Sequence, residues 1–391
     1  MLVSGFFPSE SLNIQQQIAR YAEDCLKMST RITPHIYFEL SLHFGYPRSE
    51  ILPKILEKLV SHEEAKILLL LPSSIEQVAE KTKIPVSEVA VILDNLFKRG
   101  LVLSQDFDDG KPGYALCGNL IDSVLFEIGH RKKEGNLSPT DLEIIDLWDE
   151  FFENEMMKKK LPTDNVPIAR VIPVNRVISV ETEILPFEVV SGILKSSRYI
   201  AVAQCPCRTR GRNCKNPLET CILLNDVAEI LVKRGVARKI TIEEALSIIE
   251  CCEDLGLVHH ADNASHGFSF ICNCCSCCCF FLRGLIHYGK GNTTKSRYRA
   301  VVEKDLCIGC GLCEGRCVFG AMKIENGVAY SNPEKCFGCG LCATKCPTKA
   351  INLILVRDRT HIPEGKVFNL LSALPPREIL LENMRKMGFD V

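Results

Sequence analysis

A run of cysteines in the second half of the chain is the feature best able to do chemistry. The stretch ICNCCSCCCF, residues 271–280, places six cysteines in eight positions, and they are Cys272, Cys274, Cys275, Cys277, Cys278 and Cys279. Cysteine is often a small buried hydrophobe, but that role does not require six neighbouring thiols. The stretch therefore predicts disulfides, zinc, or iron and sulfide.

The whole chain favours metal or redox chemistry over disulfides. Its 391 residues include 22 cysteines, carry a formal net charge of −1 and are 46% hydrophobic, which fits a globular protein of about two to four domains. The amino terminus lacks a basic stretch followed by an apolar segment, and the aliphatic run at 67–71 stops at Pro72. We therefore expect a cytoplasmic protein with no membrane span. Cytoplasmic cysteines bind metals more often than they form structural disulfides.

The cysteines are concentrated in the second half of the chain. Only Cys25 and Cys117 precede residue 205, and the other 20 lie at positions 205–346. We interpret Cys25 and Cys117 as hydrophobic core residues.

Two similar segments near the carboxyl end have the most regular spacing. CIGCGLCEGRC begins at Cys307, and CFGCGLCATKC begins 29 residues later at Cys336; both read Cys-x2-Cys-x2-Cys-x3-Cys. Three closely spaced thiolates on a glycine-rich loop can reach three corners of one cubane. The glycines Gly309, Gly311, Gly338 and Gly340 let the backbone curl around such a group.

This duplicated run resembles the bacterial two-cluster ferredoxins. The resemblance implies a ferredoxin-like 2[4Fe–4S] domain over residues 299–356 in which the fourth ligand of each cluster comes from the other repeat. One cluster would then be held by Cys307, Cys310, Cys313 and Cys346, and the other by Cys336, Cys339, Cys342 and Cys317. Pro347 follows Cys346 as in those ferredoxins, but Val318 stands where a proline is usual.

A second candidate site lies upstream. Four cysteines, Cys205, Cys207, Cys214 and Cys221, fall within 17 residues, after an apolar strand-like run and before an amphipathic helix. No acidic residue lies between Glu188 and Glu219, whereas six basic ones do: Lys195, Arg198, Arg208, Arg210, Arg212 and Lys215. These cations would offset thiolate charge and lower thiol pKa values, and Cys221 is expected near a helix amino terminus. A zinc site and an ordinary basic loop remain alternatives.

The opening stretch contains the same three-point spacing as the ferredoxin loops. Cys272, Cys275 and Cys278 stand in a Cys-x2-Cys-x2-Cys frame, with Cys274 and Cys277 in a second frame. Together with the upstream group, ten candidate ligands could hold one or two further cubanes or a larger cluster. Cys251 and Cys252 lie in a helical pattern and are expected to face the core, and His259 and His260 are further candidate ligands or loop histidines.

The order of these motifs carries a wider resemblance. CPCR, ETC, CNCCSCCC and a two-cluster ferredoxin module, over residues 165–356, are together similar to multicluster iron–sulfur proteins of anaerobes described as electron carriers. The resemblance implies electron transfer and gives no substrate.

The front of the chain has helical periodicity that ends in a wing-like segment, and Ser73 or Ser74 can cap the second helix. These features resemble a winged helix-turn-helix over residues 48–118. Residues 50–118 carry 11 acidic and 8 basic side chains, and the wing has Asp106, Asp108 and Asp109 against Lys111 alone. Because phosphate contacts require basic residues, DNA binding is not expected, and docking or homo-oligomerisation through this domain is favoured.

The sequence thus predicts a multidomain α+β protein with six segments. They are a winged-helix-like domain (1–118), a helical linker with Trp148 (119–164), a cysteine-rich α/β domain (165–282), a basic connector (283–298), the ferredoxin domain (299–356) and a C-terminal extension (357–391). We expect [4Fe–4S] clusters, two in the ferredoxin domain and one or two more in the central domain.

No other catalytic pattern is present: the sequence lacks a Gly-x-Gly-x-x-Gly dinucleotide motif, a phosphate-binding loop and a haem-attachment motif. The expected function is single-electron transfer to or from a partner oxidoreductase in anaerobic metabolism. The alternatives are a redox enzyme with its active centre at a central cluster and an iron–sulfur transcription regulator.

Overall fold

The computed structural model describes residues 33–107, 110–157, 167–174, 184–211, 214–289, 292–365 and 369–386. The described residues form two compact units. One is drawn from 1–89, 105–116 and 374–391, and the other from 90–104 and 117–373. Cys25, Asp108, Asp109 and Arg212 lie outside the described residues.

The first unit is mainly helical. Its elements, some of which continue into the second unit, are α1 (His35–His43), α2 (Leu52–Leu59), α3 (His62–Leu68), β1 (Ser73–Ser74), α4 (Ile75–Thr82), α5 (Val86–Lys98), β2 (Val102–Asp106) and β3 (Pro112–Leu116). Ser74 begins α4 with a reciprocal cap, because its side chain accepts from the Gln77 N–H and the Gln77 side chain accepts from the Ser74 N–H. The strands form a sheet in the order β1-β3-β2. The winged-helix interpretation of these elements remains a prediction.

The second unit is built around a seven-stranded sheet. Its first elements are α6 (Leu120–Lys133), α7 (Pro139–Phe151), β4 (Ala169–Val171), α8 (Val190–Lys195), β5 (Ile200–Gln204), α9 (Pro206–Arg210), β6 (Glu219–Leu224), α10 (Asn225–Lys233), β7 (Ala237–Lys239), α11 (Ile242–Asp254), β8 (Val258–Asp262), β9 (Phe270–Cys274), α12 (Phe280–Tyr288) and β10 (Thr293–Thr294). The strand order is β10-β4-β8-β9-β6-β5-β7. Every pairing is antiparallel except that of β10 with β4.

The two faces of this sheet pack in separate hydrophobic cores, because successive side chains of a strand point to opposite faces. Ala203, Cys221 and Leu223 face a core completed by α10 and α12. Val202 and Ile222 face the other core, completed by α8 and α11. Both faces are therefore covered by helices.

The C-terminal part of this unit carries the two cysteine repeats. It contains β11 (Tyr298–Val302), α13 (Leu312–Arg316), β12 (Met322–Glu325), β13 (Val328–Ser331), α14 (Leu341–Thr344) and β14 (Ile351–Leu355). β11 pairs with β14, and β12 pairs with β13. Each short helix begins after a glycine with positive φ, Gly311 or Gly340.

One local expectation differs from the structure, and a second segment is described in more detail than the sequence allowed. Cys221 lies within β6 and not at a helix amino terminus, because the helix that follows starts only at Asn225. The predicted basic connector, 283–298, contains the end of α12 and all of β10, and its Arg297 is buried beside Glu188. β10 pairs with β4 of the sheet, and the ion pair joins the segment to the short turn Pro186–Glu188 that precedes α8.

The buried pair of Glu188 and Arg297 gives a stability prediction. Arg297 Nη1 donates to Glu188 Oε2 at 2.9 Å, and both side chains are only 2% exposed. Glu188→Ala would leave the guanidinium buried without its partner, which costs about 3–5 kcal/mol of unfolding free energy. Chemical denaturation should show this loss, whereas Glu63→Ala at the exposed Glu63–Lys66 pair should change little. Equal effects of the two changes would contradict the assignment.

Candidate metal centres

Two cavities in the C-terminal region are lined by cysteines of both repeats. The first, of about 310 Å³, is lined by Cys307, Cys310, Cys313 and Cys346 together with apolar residues such as Ile308 and Ile351. The second, of about 330 Å³, is lined by Cys317, Cys336, Cys339 and Cys342 together with Phe319 and Phe337. Each cavity thus has three cysteines from one repeat and the fourth from the other.

The backbone around these cavities approaches closely and directs N–H groups at sulfur. Gly309 has φ +65°, and a Cβ there would lie 2.2 Å from the Gly327 carbonyl oxygen; at Gly338, with φ +68°, it would lie 2.2 Å from that of Tyr298. These two positions therefore require glycine. The Ala329 N–H donates to Cys307 Sγ at 3.3 Å, and the Ala321 N–H donates to Cys317 Sγ at 3.2 Å. Such hydrogen bonds stabilise thiolate ligands.

The ten central cysteines divide into two groups. The four-thiol group consists of Cys214, Cys275, Cys277 and Cys278, whose sulfurs all lie within 4.8 Å of one another. The measured Sγ–Sγ distances are 3.8 Å for Cys214–Cys275, 3.0 Å for Cys275–Cys278, 3.6 Å for Cys277–Cys214 and 3.7 Å for Cys277–Cys278. Cys277 is exposed, and the other three are buried or half-buried.

The six-thiol group consists of Cys205, Cys207, Cys221, Cys272, Cys274 and Cys279. Cys207 interacts with the thiols of Cys205 and Cys279, and Cys272 interacts with those of Cys221 and Cys274. Cys274 and Cys279 also interact, which links the two sets of three. These six residues form a continuous row of thiols, and all of them except Cys207 pack in the hydrophobic core on one face of the sheet.

Strand geometry explains this division. Cys272 and Cys274 are two residues apart on β9, so their side chains share the face to which Cys221 of β6 also points. Cys275 follows directly after the strand and packs with Cys278 and Cys252 in a separate small core. The predicted frame of Cys272, Cys275 and Cys278 is therefore not one site, because Cys272 lies in the six-thiol group. The upstream four are divided in the same way, since Cys214 lies apart from Cys205, Cys207 and Cys221.

Arg208 lies between the two groups. It is 1% exposed and donates to the Pro217 carbonyl at 2.7 Å, to Thr220 Oγ1 and to the Asn273 carbonyl. Burial alone would lower its pKa, but the thiolates of Cys205 and Cys275 raise it above its ordinary value. Its guanidinium is therefore a cation shared by both groups.

The same contacts favour the thiolate, the form that binds metal, at Cys207, Cys272 and Cys275, and they raise the pKa of the partner thiols. The neighbouring Cys278 thiol lowers the pKa of Cys275 to about 4, and Arg208 acts in the same direction. The Cys221 thiol, followed by that of Cys274, lowers the pKa of Cys272 to about 5. The predicted effect of basic residues on thiol pKa values is thus present, although neighbouring thiols are the larger cause.

Two further residues near the six thiols, His260 and Asp122, are difficult to recognise from the sequence. His260 lies on β8 opposite Cys272 and stacks on Phe281 with ring centroids 5.7 Å apart, so it shares the six-thiol face. It is completely buried, and neither ring nitrogen has a hydrogen-bond partner of ordinary geometry. The pKa of Asp122 is raised to about 7. Burial is the largest cause, and the charges of Cys207 and Cys272 act in the same direction.

The remaining candidates lie apart from the thiol groups or at their edge. His259 and His260 both lie in β8, so they are strand residues and not loop residues. The His259 side chain faces the opposite side of the strand from His260, and its Nδ1 lies 2.7 Å from Asn273 Oδ1. Cys252 is buried against Cys275 and Cys278, but Cys251 is exposed, because adjacent helix residues face different directions. Cys117 is completely buried, as predicted for a core residue.

Comparison with known protein families matches residues 329–352 to the 4Fe-4S binding domain. This segment contains the whole second repeat. Neither curated proteins nor solved structures give a match to the chain. Within the described residues, no helix is both long and apolar enough to span a membrane.

Proposed function

We propose that this protein is an iron–sulfur electron carrier that relays single electrons to or from a partner oxidoreductase. The observation that carries the proposal is the pair of C-terminal cavities, each lined by four cysteines; Cys336, Cys339 and Cys342 of the second cavity lie in the segment matched to a 4Fe-4S binding domain. The residues suit the cofactor, because soft thiolates on close glycine loops with N–H donors are what such clusters require.

The ligand sets follow from the residues that line each cavity. Cys307, Cys310, Cys313 and Cys346 would hold one [4Fe–4S] cluster, and Cys317, Cys336, Cys339 and Cys342 the other. Four of the six thiols on the sheet face would hold a third. A bound cluster of this type exchanges one electron at a potential set by hydrogen bonds to sulfur and by solvent exposure.

Packing supports a sequence of contacts from one site to the next. Cys339 packs against the same hydrophobic core as the six thiols, and its carbonyl accepts from the Val174 N–H at 3.0 Å. Arg316, next to Cys317, donates to the Leu341 carbonyl at 3.0 Å and thereby joins the two repeats. Cys310 of the first cavity is exposed. The contacts thus run from the six-thiol group through the second cavity to the first, where Cys310 is exposed. This order favours electron exchange with a partner at Cys310.

A redox titration of the anaerobically purified full chain tests the proposal. The protein should be reduced and reoxidised reversibly with no added substrate, and the reduced form should pass electrons to a soluble one-electron acceptor. An absence of reversible reduction would contradict it. Isolation of the native complex without oxygen would then show which oxidoreductase co-purifies.

A redox enzyme is the second candidate, and the six-thiol group favours it. One cubane needs four thiolates, so two thiols remain beside the buried His260. An exogenous iron ligand such as cyanide should leave the paramagnetic resonance spectrum of a closed carrier unchanged. If cyanide shifts a resonance signal, and the Cys272→Ala variant lacks that signal, the redox enzyme would be favoured.

The winged-helix-like segment, residues 48–118, should not bind DNA. Residues 50–118 carry a net charge of −3 from 11 acidic and 8 basic side chains, which opposes phosphate contacts. A fluorescence anisotropy titration of the full chain at low salt, where phosphate attraction is strongest, should show no sequence-dependent binding. Tight binding to a particular duplex would instead support the transcription regulator.

A further inference from the structure

We propose that the four-thiol group is a mononuclear zinc site and not a fourth iron–sulfur cluster. It would hold one Zn²⁺ ion between Cys214, Cys275, Cys277 and Cys278. The site is separate from the electron-carrying centres proposed above, and its loss would leave their iron in place.

The spacing of the sulfurs carries this inference. One Zn²⁺ ion bound by four thiolates at about 2.3 Å places neighbouring sulfurs about 3.8 Å apart. The corresponding Sγ–Sγ distances here are 3.8 Å for Cys214–Cys275, 3.7 Å for Cys277–Cys278 and 3.6 Å for Cys277–Cys214. The shortest, Cys275–Cys278, is 3.0 Å, about 0.8 Å less than the spacing on an ion, so binding would require these two sulfurs to separate by that amount.

The C-terminal cysteines provide an internal comparison. Among the described C-terminal cysteines, no three have sulfurs that all lie within 4.8 Å of one another, as expected for ligands to different irons of a cubane. Across the described parts of the chain, the four-thiol group is the one set of possible ligands whose atoms all lie within 4.8 Å of one another. The same protein therefore contains two kinds of cysteine site, and this one has the dimensions of a single ion.

The surroundings of the four thiols match a closed structural site. Four thiolates and Zn²⁺ carry a net charge of −2, and Arg208 lies against Cys275 while Asn216 Nδ2 donates to Cys214 Sγ at 3.5 Å. Charge-assisted hydrogen bonds of this kind stabilise a thiolate site. Cys252 and Leu257 cover the buried side.

The ion would tie together two segments that are distant in sequence. Cys214 lies in the loop between α9 and β6, and the other three ligands lie in the turn between β9 and α12. The loop passes close to the turn, because a Cβ on Gly211 would lie 2.4 Å from Cys278 Cβ. Arg208 and Arg210 immediately precede this loop, so the ion would hold both cations beside the six-thiol group.

Metal analysis of the full chain, produced with iron and zinc supplied and purified without oxygen, tests the proposal. The wild-type protein should contain about one zinc, bound as a closed four-thiolate structural site. Cys277→Ala should remove most of the zinc and leave the iron content unchanged. Cys251→Ala is the matched control, because Cys251 is also exposed but lies outside the group, and it should keep both metals.

X-ray absorption at the zinc edge of the wild-type protein provides a second test that needs no variant. The expected result is four sulfur neighbours at about 2.3 Å. The proposal is overturned if Cys277→Ala removes about four irons, the content of one cubane. A zinc-free wild-type protein, with the four cysteines either bound to iron or joined in disulfides, would also overturn it.

Discussion

Cys346→Ala is expected to abolish the cluster that is held mainly by the first repeat. Cys346 belongs to the second repeat, yet it lines the cavity of Cys307, Cys310 and Cys313. With its ligand missing, that cluster should fall to less than a tenth of its wild-type occupancy, because metal binding and folding are coupled in so small a domain. Paramagnetic resonance of the reduced protein should show the loss of one signal.

Thr348→Ala is the matched control for this change. Thr348 lines the same cavity two residues after Cys346, and its hydroxyl lies 3.7 Å from Cys346 Sγ, but it offers no thiolate. It should retain the cluster. If Cys346→Ala instead removed the cluster of Cys336, Cys339 and Cys342, each repeat would hold its own cluster, and the exchange of fourth ligands would be wrong.

The double change Cys272→Ala, Cys274→Ala should remove the central cluster. These two residues join Cys221 to the rest of the six-thiol row, so their loss separates it from Cys205, Cys207 and Cys279. The iron content should fall by about four atoms, and the two C-terminal clusters should keep their signals. Total iron and paramagnetic resonance spectra of the anaerobic protein provide the measurement.

The double change Cys251→Ala, Cys117→Ala controls for the loss of two cysteines. Cys251 is exposed outside both thiol groups, and Cys117 is buried in the same core as the six thiols but interacts with Ser123 and not with another cysteine. Its iron content should equal that of the wild type. An unchanged iron content in the Cys272, Cys274 variant as well would show that the six-thiol group binds no cluster.

The sequence predicted the C-terminal sites more fully than the central ones. Cys307 to Cys317 and Cys336 to Cys346 are local segments, in which spacing and glycines decide which thiols face a common space. The exchange of Cys317 and Cys346 between cavities required the resemblance to ferredoxins in addition. The glycines then take the positive φ values that the loops demand, as at Gly309 and Gly338.

The grouping of the central cysteines depends on where β9 ends, and spacing alone does not determine this. Cys272 and Cys274 alternate with Asn273 as strand residues do, and that period of two was an available signal. Cys275 begins a turn, so the Cys-x2-Cys-x2-Cys frame combines residues from two faces of the sheet. The placement of Cys214 beside Cys275 depends on a contact between residues 61 positions apart, which no local pattern reports.

His260 could not be identified from local pattern either. Its position opposite Cys272 follows from the register of β8 and β9, and its neighbour His259 faces the other way. Two adjacent histidines therefore have different surroundings, and only their strand pairing distinguishes them.

Mössbauer spectroscopy of the ⁵⁷Fe-labelled full chain, before and after reduction, is the most direct test of the electron-carrier account. The account predicts about 12 irons per chain, all in three [4Fe–4S] clusters that accept electrons and return reversibly to their starting spectrum. A chain with iron that does not change its spectrum on reduction, or with no [4Fe–4S] iron in the cavities of Cys307 to Cys346, would contradict it.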